Sequence, residues 1–252
     1  MKRQYRNLLY NRGGAIGLDS AIRSAMLARS PDAYYPFDDA TAPYADLGSI
    51  GGSASNNGTV PQGVAAPSGV TYPDWSASTA AVSMSDNDAF TIPSTGTALS
   101  IMFFYKPFTV SENTYLGSKS SSSTSLREWE IQQTSGNFLS VRSMNTAGDA
   151  YQIRRSSAGS FSIGTWHHVG IYFSATLAPN IFIDGVLDND TNTGPVGTRQ
   201  TNTVAAVQVG IRYGGLTGNP GGTIAHWGVF NGLFLSAAIC QEMIDASVTD
   251  GW

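Results

Sequence analysis

The sequence has little cysteine, little charge and no long apolar run, and each shortage excludes a class of protein. Cys240 is the one cysteine of the 252 residues, so the chain cannot close an internal disulfide. No apolar run reaches the ~18 residues that a membrane-spanning helix needs. The basic N-terminus has neither the apolar core nor the cleavage site of a signal peptide. We therefore expect neither a disulfide-rich secreted domain nor a membrane protein.

Charged side chains make up 13% of the chain, whereas glycine alone contributes 28 residues. Solvation is left mainly to Ser, Thr and Asn, a composition typical of many short strands joined by turns. A chain of this length can bury about three quarters of its unfolded surface. We therefore predict a single folded body over residues 18–252.

The basic charge is concentrated at the N-terminus. Residues 1–17 carry four bases and no acid, whereas the other 235 residues carry 10 bases and 18 acids, a net charge of −8. This asymmetry predicts an extended basic arm that docks on a partner; the alternative is a solvated terminus. The candidate docking residues are Lys2, Arg3, Tyr5, Arg6, Leu8, Leu9, Tyr10 and Arg12.

Two short helices are predicted, one at each end of the domain. Residues 18–29 place Leu18, Ile22 and Met26 on one face, and Pro31 prevents further extension. Residues 236–245 form the second helix, with Ser236 as its N-cap. Its predicted buried stripe is Ile239, Met243 and Ile244.

Between the helices the apolar spacing changes to period two, which predicts strands. The first, Ala33–Phe37, contains Pro36 and is therefore expected at a sheet edge, while residues 38–79 are predicted to be mostly loop. Asp184-Gly185 and Ser135-Gly136 are the signals of two tight hairpins. The other predicted strands cover approximately residues 80–84, 88–92, 98–106, 114–118, 126–133, 137–143, 150–155, 166–174, 180–184, 186–189, 204–212 and 223–231.

Four segments follow one another in a recognisable order across residues 18–248. They are Ser30–Asp39 with Asn57-Gly58-Thr59 behind it, the strands of Ala81–Pro107, Trp166-His167-His168-Val169 with the Ile181–Gly185 hairpin, and Gly222–Phe230 before the last helix. In order and spacing they resemble the laminin-G-like, concanavalin A-like lectin/glucanase superfamily, particularly its members in phage virion proteins. Ala225 and His226 stand where many members carry Asp-Glu, which argues against an acidic or calcium-linked role there.

The resemblance implies an all-β fold, a two-sheet antiparallel jelly-roll sandwich of the concanavalin A-like type with short N-terminal and C-terminal helices. It also implies glycan or protein binding, although one fold hosts many functions. Tyr72, Trp75, Tyr151 and Tyr213 lie near predicted loops or strand ends, where an exposed aromatic ring could stack on a sugar.

Paired carboxylates are the best catalytic candidates. Glu128 and Glu130 flank Trp129 on a predicted strand and would lie about 7 Å apart on one face. The related hydrolases carry a third acid, where this chain has Gln133. Alternation explains the segment without catalysis, because it points Trp129 inward and both glutamates to water. We therefore assign no catalytic residue, and glycosidase activity remains the third hypothesis.

Metal and nucleotide sites have weak signals. His167 and His168 are adjacent on a strand and point to opposite faces, so they cannot share a metal; we predict that they and His226 are structural, and that Cys240 lies in the core. Asp38, Asp39 and Asp46 could hold calcium, although aspartates in such loops are usually turn formers. We assign no cofactor, and no glycine-rich phosphate loop indicates a nucleotide.

The leading hypothesis is a non-enzymatic virion structural protein on the particle surface, made in the host cytoplasm. A phage capsid decoration, cement or head-fibre subunit is its most concrete form. It would dock through residues 1–17 on the major capsid protein or another virion protein, as a homo-oligomer such as a trimer. The alternative is a carbohydrate-binding, lectin-like module for host-surface attachment, for example on a tail fibre.

Overall fold

The computed structural model describes most of the chain after the predicted arm. It covers residues 19–39, 43–58, 62–75, 81–94, 96–109, 114–121, 123, 126–145, 151–174, 178–193, 200–201, 204–211 and 221–252. The predicted arm and Leu18 lie outside these residues.

A helix stands at each end of the described chain, with strands between them. The helices are α1 (Ser20–Ala28) and α2 (Ala237–Thr249), and a 3-10 turn covers Asp88–Phe90. The strands are β1 (Ala33–Tyr35), β2 (Tyr44–Ala45), β3 (Ser53–Asn57), β4 (Gln62–Ala65), β5 (Thr71–Pro73), β6 (Ala81–Met84), β7 (Ala98–Pro107), β8 (Thr114–Lys119), β9 (Trp129–Gln133), β10 (Leu139–Met144), β11 (Tyr151–Arg155), β12 (His167–Ser174), β13 (Asn180–Ile183), β14 (Val186–Leu187), β15 (Thr191–Thr193), β16 (Val207–Val209) and β17 (Gly222–Asn231).

Two antiparallel sheets contain nearly all of these strands. One has the order β1-β17-β7-β12-β13-β14, and the other has the order β15-β11-β10-β9-β8-β16-β6-β3-β2. β4 and β5 form a separate hairpin. The predicted two-sheet antiparallel sandwich with a helix at each end is confirmed, and β1 lies at a sheet edge, as Pro36 predicts.

The central strands of the six-stranded sheet are buried on both faces. In β7 only Lys106 is partly exposed. One face meets the nine-stranded sheet, where the Trp227 ring lies over Gly117 of β8 and Phe103 stacks on that ring with centroids 4.9 Å apart. The other face meets the helices, and Cys240 of α2 packs over Gly170, where a Cβ would lie 2.9 Å from its Sγ. These strands are therefore nearly continuous apolar runs rather than alternating ones.

Both predicted hairpin turns form, but only one of them has the left-handed residues where the sequence predicts them. Asp184 and Gly185 both have positive φ, 49° and 78°, and the strands on either side pair with Ile183 opposite Val186. This is the backbone that a type I′ turn requires. β9 and β10 also form the predicted hairpin, but the left-handed residue is Asn137 (φ 57°) rather than Gly136.

Three sequence predictions need correction, and a fourth needs an addition. The described part of residues 38–79 is mostly loop, as predicted, but it also contains strands β2–β5, which are too short to show a readable period. The predicted strand 88–92 begins as a 3-10 turn, since the Asn87 side chain accepts a hydrogen bond from the Ala89 N–H (2.9 Å). α2 continues four residues beyond the predicted end. Its buried side chains are Cys240, Met243 and Ser247, so Ile239 and Ile244 lie at the margin of the stripe.

Candidate functional site

The predicted docking residues of the arm, from Lys2 to Arg12, all lie outside the described residues. Their contacts therefore stay a prediction. The candidate site lies on the nine-stranded sheet. The inner face of this sheet packs in the sandwich core, and its outer face is polar.

Glu128 and Glu130 do not face water, contrary to the sequence prediction. Both are fully buried. Glu128 accepts a hydrogen bond from the Ile92 N–H, and its Oε2 lies 3.2 Å from Lys119 Nζ. Glu130 lies 3.8 Å from Arg142. Alternation sorts side chains between faces but does not show whether a face is covered, and here each buried acid lies beside a different base.

The outer face of the sheet, here called the polar face, carries two rows of polar side chains across adjacent strands. Strand pairing places Tyr115 opposite Gln132, Gln132 opposite Ser140, and Ser140 opposite Arg155. We call these four residues the first row. The second row follows the same pairing and consists of Ser83, Gln208, Ser118, Glu130 and Arg142.

Several groups of the first row are buried without a hydrogen-bond partner. In the described part of the chain, neither Nε2 nor Oε1 of Gln132 has a partner, and the same holds for Ser140 Oγ and Arg155 Nε. Gln132 and Ser140 are themselves fully buried. An unsatisfied buried polar group costs about 1–3 kcal/mol, so three neighbouring side chains of this kind require an explanation other than stability.

Arg155 ends the first row in a distinctive environment. Its guanidinium lies 5.3 Å from the centre of the Phe138 ring, a cation–π contact. The side chain is partly exposed, whereas its Nε is buried. The row therefore runs from a charged group near the surface to amide and hydroxyl groups below it, three kinds of group that together can recognise a polar ligand.

The three histidines lie in different surroundings, and one of them lacks hydrogen-bond partners among the described residues. His167 Nδ1 lies 2.7 Å from Asp184, and its Nε2 accepts from the Ser162 N–H (2.9 Å). His168 points the other way, as predicted, and neither of its ring nitrogens has a hydrogen-bond partner among the described residues. Burial lowers the pKa of His168 to about 4, so this ring is neutral near pH 7.

His226 belongs to a buried hydrogen-bonded network that sequence reasoning missed. Tyr72 donates its hydroxyl proton to Asp19, and its oxygen lies 2.8 Å from His226 Nε2. The other ring nitrogen of His226, Nδ1, lies 2.6 Å from the Tyr34 hydroxyl oxygen. Trp252 Nε1 donates to Asp19 as well (3.0 Å). The network joins both ends of the described chain, and a lone-histidine signal could not reveal it.

Two of the three loop aspartates that were candidates for calcium, Asp38 and Asp46, have partners within the domain. Asp38 pairs with Arg23, and Asp46 Oδ1 accepts from the backbone N–H groups of Tyr34 and Gly48 at 2.7 and 2.8 Å. Across the described ranges, no three metal-ligating side chains come together. Asp46 therefore acts as a turn former.

Two of the four aromatic candidates for sugar stacking lie in the interior of the domain. Tyr72 and Trp75 are fully buried, because Tyr72 belongs to the His226 network and Trp75 packs edge-on against Phe37. The Tyr151 side chain and Tyr213 lie outside the described residues. A shallow polar recess of about 300 Å³ opens elsewhere, beside Thr91, Ser94, Thr97 and Asn231.

Two findings concern the described helices and the similarity of the sequence to curated proteins. Neither helix of the described chain is long and apolar enough to cross a membrane. No curated protein matches the sequence significantly.

Solved structures with a similar fold include one domain of an arabinanase and two binding domains of a botulinum neurotoxin. Domain 4 of AbnA, a GH43 extracellular arabinanase from Geobacillus stearothermophilus in complex with arabinotriose, superposes with a TM-score of 0.60 at 14% identity, covering 85% of this chain and 98% of that one. The botulinum neurotoxin serotype D binding domain gives 0.62 at 12% identity, with coverage of 89% and 53%. The serotype D ligand-binding domain in complex with N-acetylneuraminic acid gives 0.60 at 13% identity, with coverage of 91% and 53%. This chain thus spans about half of each neurotoxin domain.

A family model places the chain more directly than these low-identity likenesses, which show the fold alone. The model described as the concanavalin A-like lectin/glucanases superfamily matches residues 76–240, well over half of the sequence. That range contains most strands of both sheets and the whole first row. The chain therefore belongs to the concanavalin A-like lectin/glucanase superfamily.

Proposed function

We propose that this domain binds carbohydrate through the polar face of its nine-stranded sheet. The observation that carries the proposal is the first row, where Gln132, Ser140 and Arg155 present buried groups without hydrogen-bond partners in the described chain. Sugar hydroxyls both donate and accept hydrogen bonds, so an oligosaccharide could satisfy the amide, the hydroxyl and the guanidinium together.

Three further points support a binding role. The domain belongs to a superfamily of lectins and glucanases. Domain 4 of the arabinanase and the serotype D ligand-binding domain share its fold and were solved with saccharides. The first row crosses β8, β9, β10 and β11, and a spacing of about 4.8 Å between strands gives it a length of about 14 Å. This length suits several sugar units better than one.

The proposal is for binding without catalysis. Glycoside hydrolysis needs two carboxylates that flank one scissile bond. Glu128 is engaged by Lys119 and the Ile92 N–H, while Glu130 lies beside Arg142. These different surroundings favour structural roles for both acids. Glu128→Gln and Glu130→Gln should therefore leave glycan binding in place, with no hydrolysis by the unaltered protein.

The test replaces Gln132 with a side chain of similar shape. Gln132→Met removes both unpartnered polar atoms and keeps the volume, so we expect unchanged or higher thermal stability. Glycan affinity, measured by calorimetry with the best ligand from a glycan array, should fall about tenfold or more, since lost hydrogen bonds to a ligand cost about 1.5 kcal/mol. The exposed Gln241→Met on α2 is the matched control and should change neither quantity.

Two outcomes would contradict carbohydrate binding at this face. One is a full-length protein that binds no glycan on the array. The other is a Gln132→Met variant that binds with unchanged affinity while a variant elsewhere, such as in the recess beside Thr91 and Asn231, loses binding. The second result would keep the function and move the site.

A second candidate, a virion structural protein, is favoured by the charge asymmetry between residues 1–17 and the remaining chain. In this hypothesis a capsid decoration or head-fibre subunit docks through the basic arm and displays the sandwich at the particle surface. Deleting residues 1–17 should then abolish incorporation into particles and leave the domain folded. Normal incorporation of the truncated protein would reject this role, and it would leave carbohydrate binding untouched.

A further inference from the structure

Arg155 is a partly exposed cation that forms no ion pair with any residue that the structure describes. No described carboxylate lies within ion-pair distance of it, and its Nε has no hydrogen-bond partner in the described chain. The Phe138 ring faces the guanidinium, with its centre 5.3 Å from Arg155 Cζ. A ring face orients a guanidinium without using its N–H donors. Arg155 is therefore held in place while its donors remain available.

Two described acids near this part of the sheet are engaged by groups other than Arg155. Glu130 and Arg142 lie 3.8 Å apart in the second row. Asp188, which lies near β11 in the fold, accepts hydrogen bonds from Ser157 and Ser160. The first row contains no acid, so its net charge is that of Arg155. This positive group is conspicuous in a domain whose residues outside the arm carry a net charge of −8.

A guanidinium is the side chain best suited to a planar or tetrahedral oxyanion. Its parallel N–H groups bind a carboxylate or a sulfate through two hydrogen bonds, which gives both strength and orientation. Ser140 and Gln132 follow Arg155 at successive strand positions, each about 5 Å further along the row. They can bind the hydroxyl groups that adjoin such an anionic group on a sugar.

We propose that the polar face selects saccharides that carry a carboxylate or a sulfate, and that Arg155 is the residue that confers this selectivity. This inference rests on the proposed carbohydrate binding and adds the ligand class. Ser140 and Gln132 contribute affinity for the adjoining hydroxyls, whereas Arg155 distinguishes an acidic sugar from its neutral counterpart.

The experiment uses the full chain and oligosaccharides in matched pairs. Galactose oligomers are compared with galacturonic acid oligomers and with sulfated galactose oligomers, and lactose is compared with sialyllactose. We expect the unaltered protein to bind at least one acidic member about tenfold more tightly than its neutral counterpart. The preference should shrink as ionic strength rises, because salt screens a partly exposed charge.

Variants of two adjacent arginines isolate the contribution of Arg155. Arg155→Gln should abolish the preference for the acidic member, because affinity for that member should fall about tenfold further than affinity for the neutral one. Arg154→Gln removes the same charge from the same strand, but Arg154 points to the opposite face, where its Nε donates to the Pro179 carbonyl (3.0 Å). This control should keep the preference. Arg155→Lys should retain only part of it, because lysine lacks the paired donors.

The outcomes separate the two proposals. If the protein binds neutral members as tightly as acidic ones, the ligand class is wrong and carbohydrate binding stands. If Arg154→Gln and Arg155→Gln weaken acidic binding equally, the effect comes from overall charge and Arg155 has no selective role. If no glycan binds, both proposals fall. A thermal melt of each variant checks that it is folded before its affinity is compared.

Discussion

The carboxylate of Asp250 caps helix α1 by accepting a hydrogen bond from the Ile22 N–H at 2.8 Å. It also accepts from the Ala21 N–H at 3.1 Å, although Asp250 lies beyond the end of α2, more than 200 residues away. Asp19 occupies the N-cap position itself but makes no capping bond, because its side chain is directed into the network around His226. Asp250 thus supplies the capping hydrogen bonds that Asp19, at the N-cap position, does not make.

Removal of this long-range cap should destabilise the protein. Asp250→Ala leaves two N–H groups at the start of α1 without their acceptor, and we expect a loss of about 1–2 kcal/mol in the free energy of unfolding, as for a lost N-cap. Urea denaturation measures it. Asp245→Ala, which removes an exposed carboxylate of α2 bonded to Gln241, is the control and should cost less than 0.5 kcal/mol, roughly the range of a surface substitution. Equal losses for the two variants would show that the cap contributes nothing specific.

Asp19 should make stability fall in acid. Burial opposes ionisation of Asp19, but hydrogen bonds from His226, Ser68, Tyr72 and Trp252 outweigh it and lower the pKa from 3.8 to about 2. Because the folded pKa lies below the unfolded one, the stabilisation is complete above pH 4–5 and is lost as the pH falls through about 2. Its size is about 2 kcal/mol, from a shift of just under two units.

A comparison of the unaltered protein with the Asp19→Asn variant isolates the contribution of this carboxylate to stability. The variant should be less stable than the unaltered protein at pH 6, and the difference should shrink toward pH 2. Denaturation curves at a series of pH values give the difference directly, with other carboxylates cancelling between the two proteins. A gap that stays constant over this range would mean that the carboxylate does not titrate with the lowered pKa.

The packing of Trp227 against Gly117 leads to a third prediction. A Cβ on Gly117 would lie 2.5 Å from Cη2 of the Trp227 ring, which occupies the space between the two sheets. Without this contact, alanine would be more favourable than glycine in a strand. The contact therefore decides whether Gly117→Ala stabilises or destabilises the protein. Gly117→Ala should cost about 1–3 kcal/mol, as for overpacking of a tight core.

A double-mutant cycle tests whether Trp227 is the cause. Trp227→Leu alone should be strongly destabilising because it opens a cavity. In that background Gly117→Ala should cost much less than in the unaltered protein, since the ring that it would clash with is gone. Additive losses would place the strain of Gly117→Ala somewhere other than this contact.

The outline of the fold could be predicted from the sequence, because strands such as β7 and β12 are long and the Asp184-Gly185 turn demands one backbone geometry. The burial of Glu128 and Glu130 could not be predicted. Alternation shows which side chains share a face of a strand, but it does not show whether other residues cover that face. The first row had a partial signal: Gln132, Ser140 and Arg155 are polar positions of alternating strands. Their alignment depends on strand register across two hairpins, one of which encloses residues outside the described chain, and period alone does not fix register.

The charge of Lys119 gives the last prediction. This lysine is fully buried, and its Nζ donates to Thr91 Oγ1 at 2.6 Å. It also lies 3.1 Å from Asp86 and 3.2 Å from Glu128. Glu128 is as deeply buried as the lysine, whereas the Asp86 side chain is about one third exposed and can be solvated. The loss of Lys119 therefore leaves Glu128, more than Asp86, with a charge that neither water nor this cation compensates.

Lys119→Met should cost about 3–5 kcal/mol, because it leaves the buried charge of Glu128 without this cation. The double variant Lys119→Met, Glu128→Gln should be more stable than Lys119→Met alone, since the second substitution removes the uncompensated charge. Denaturation at pH 7 measures both. Losses that simply add would show that the two groups do not compensate each other. Recovery in the double variant would instead establish Glu128 as the partner of a buried ion pair, the role that distinguishes it from a catalytic acid.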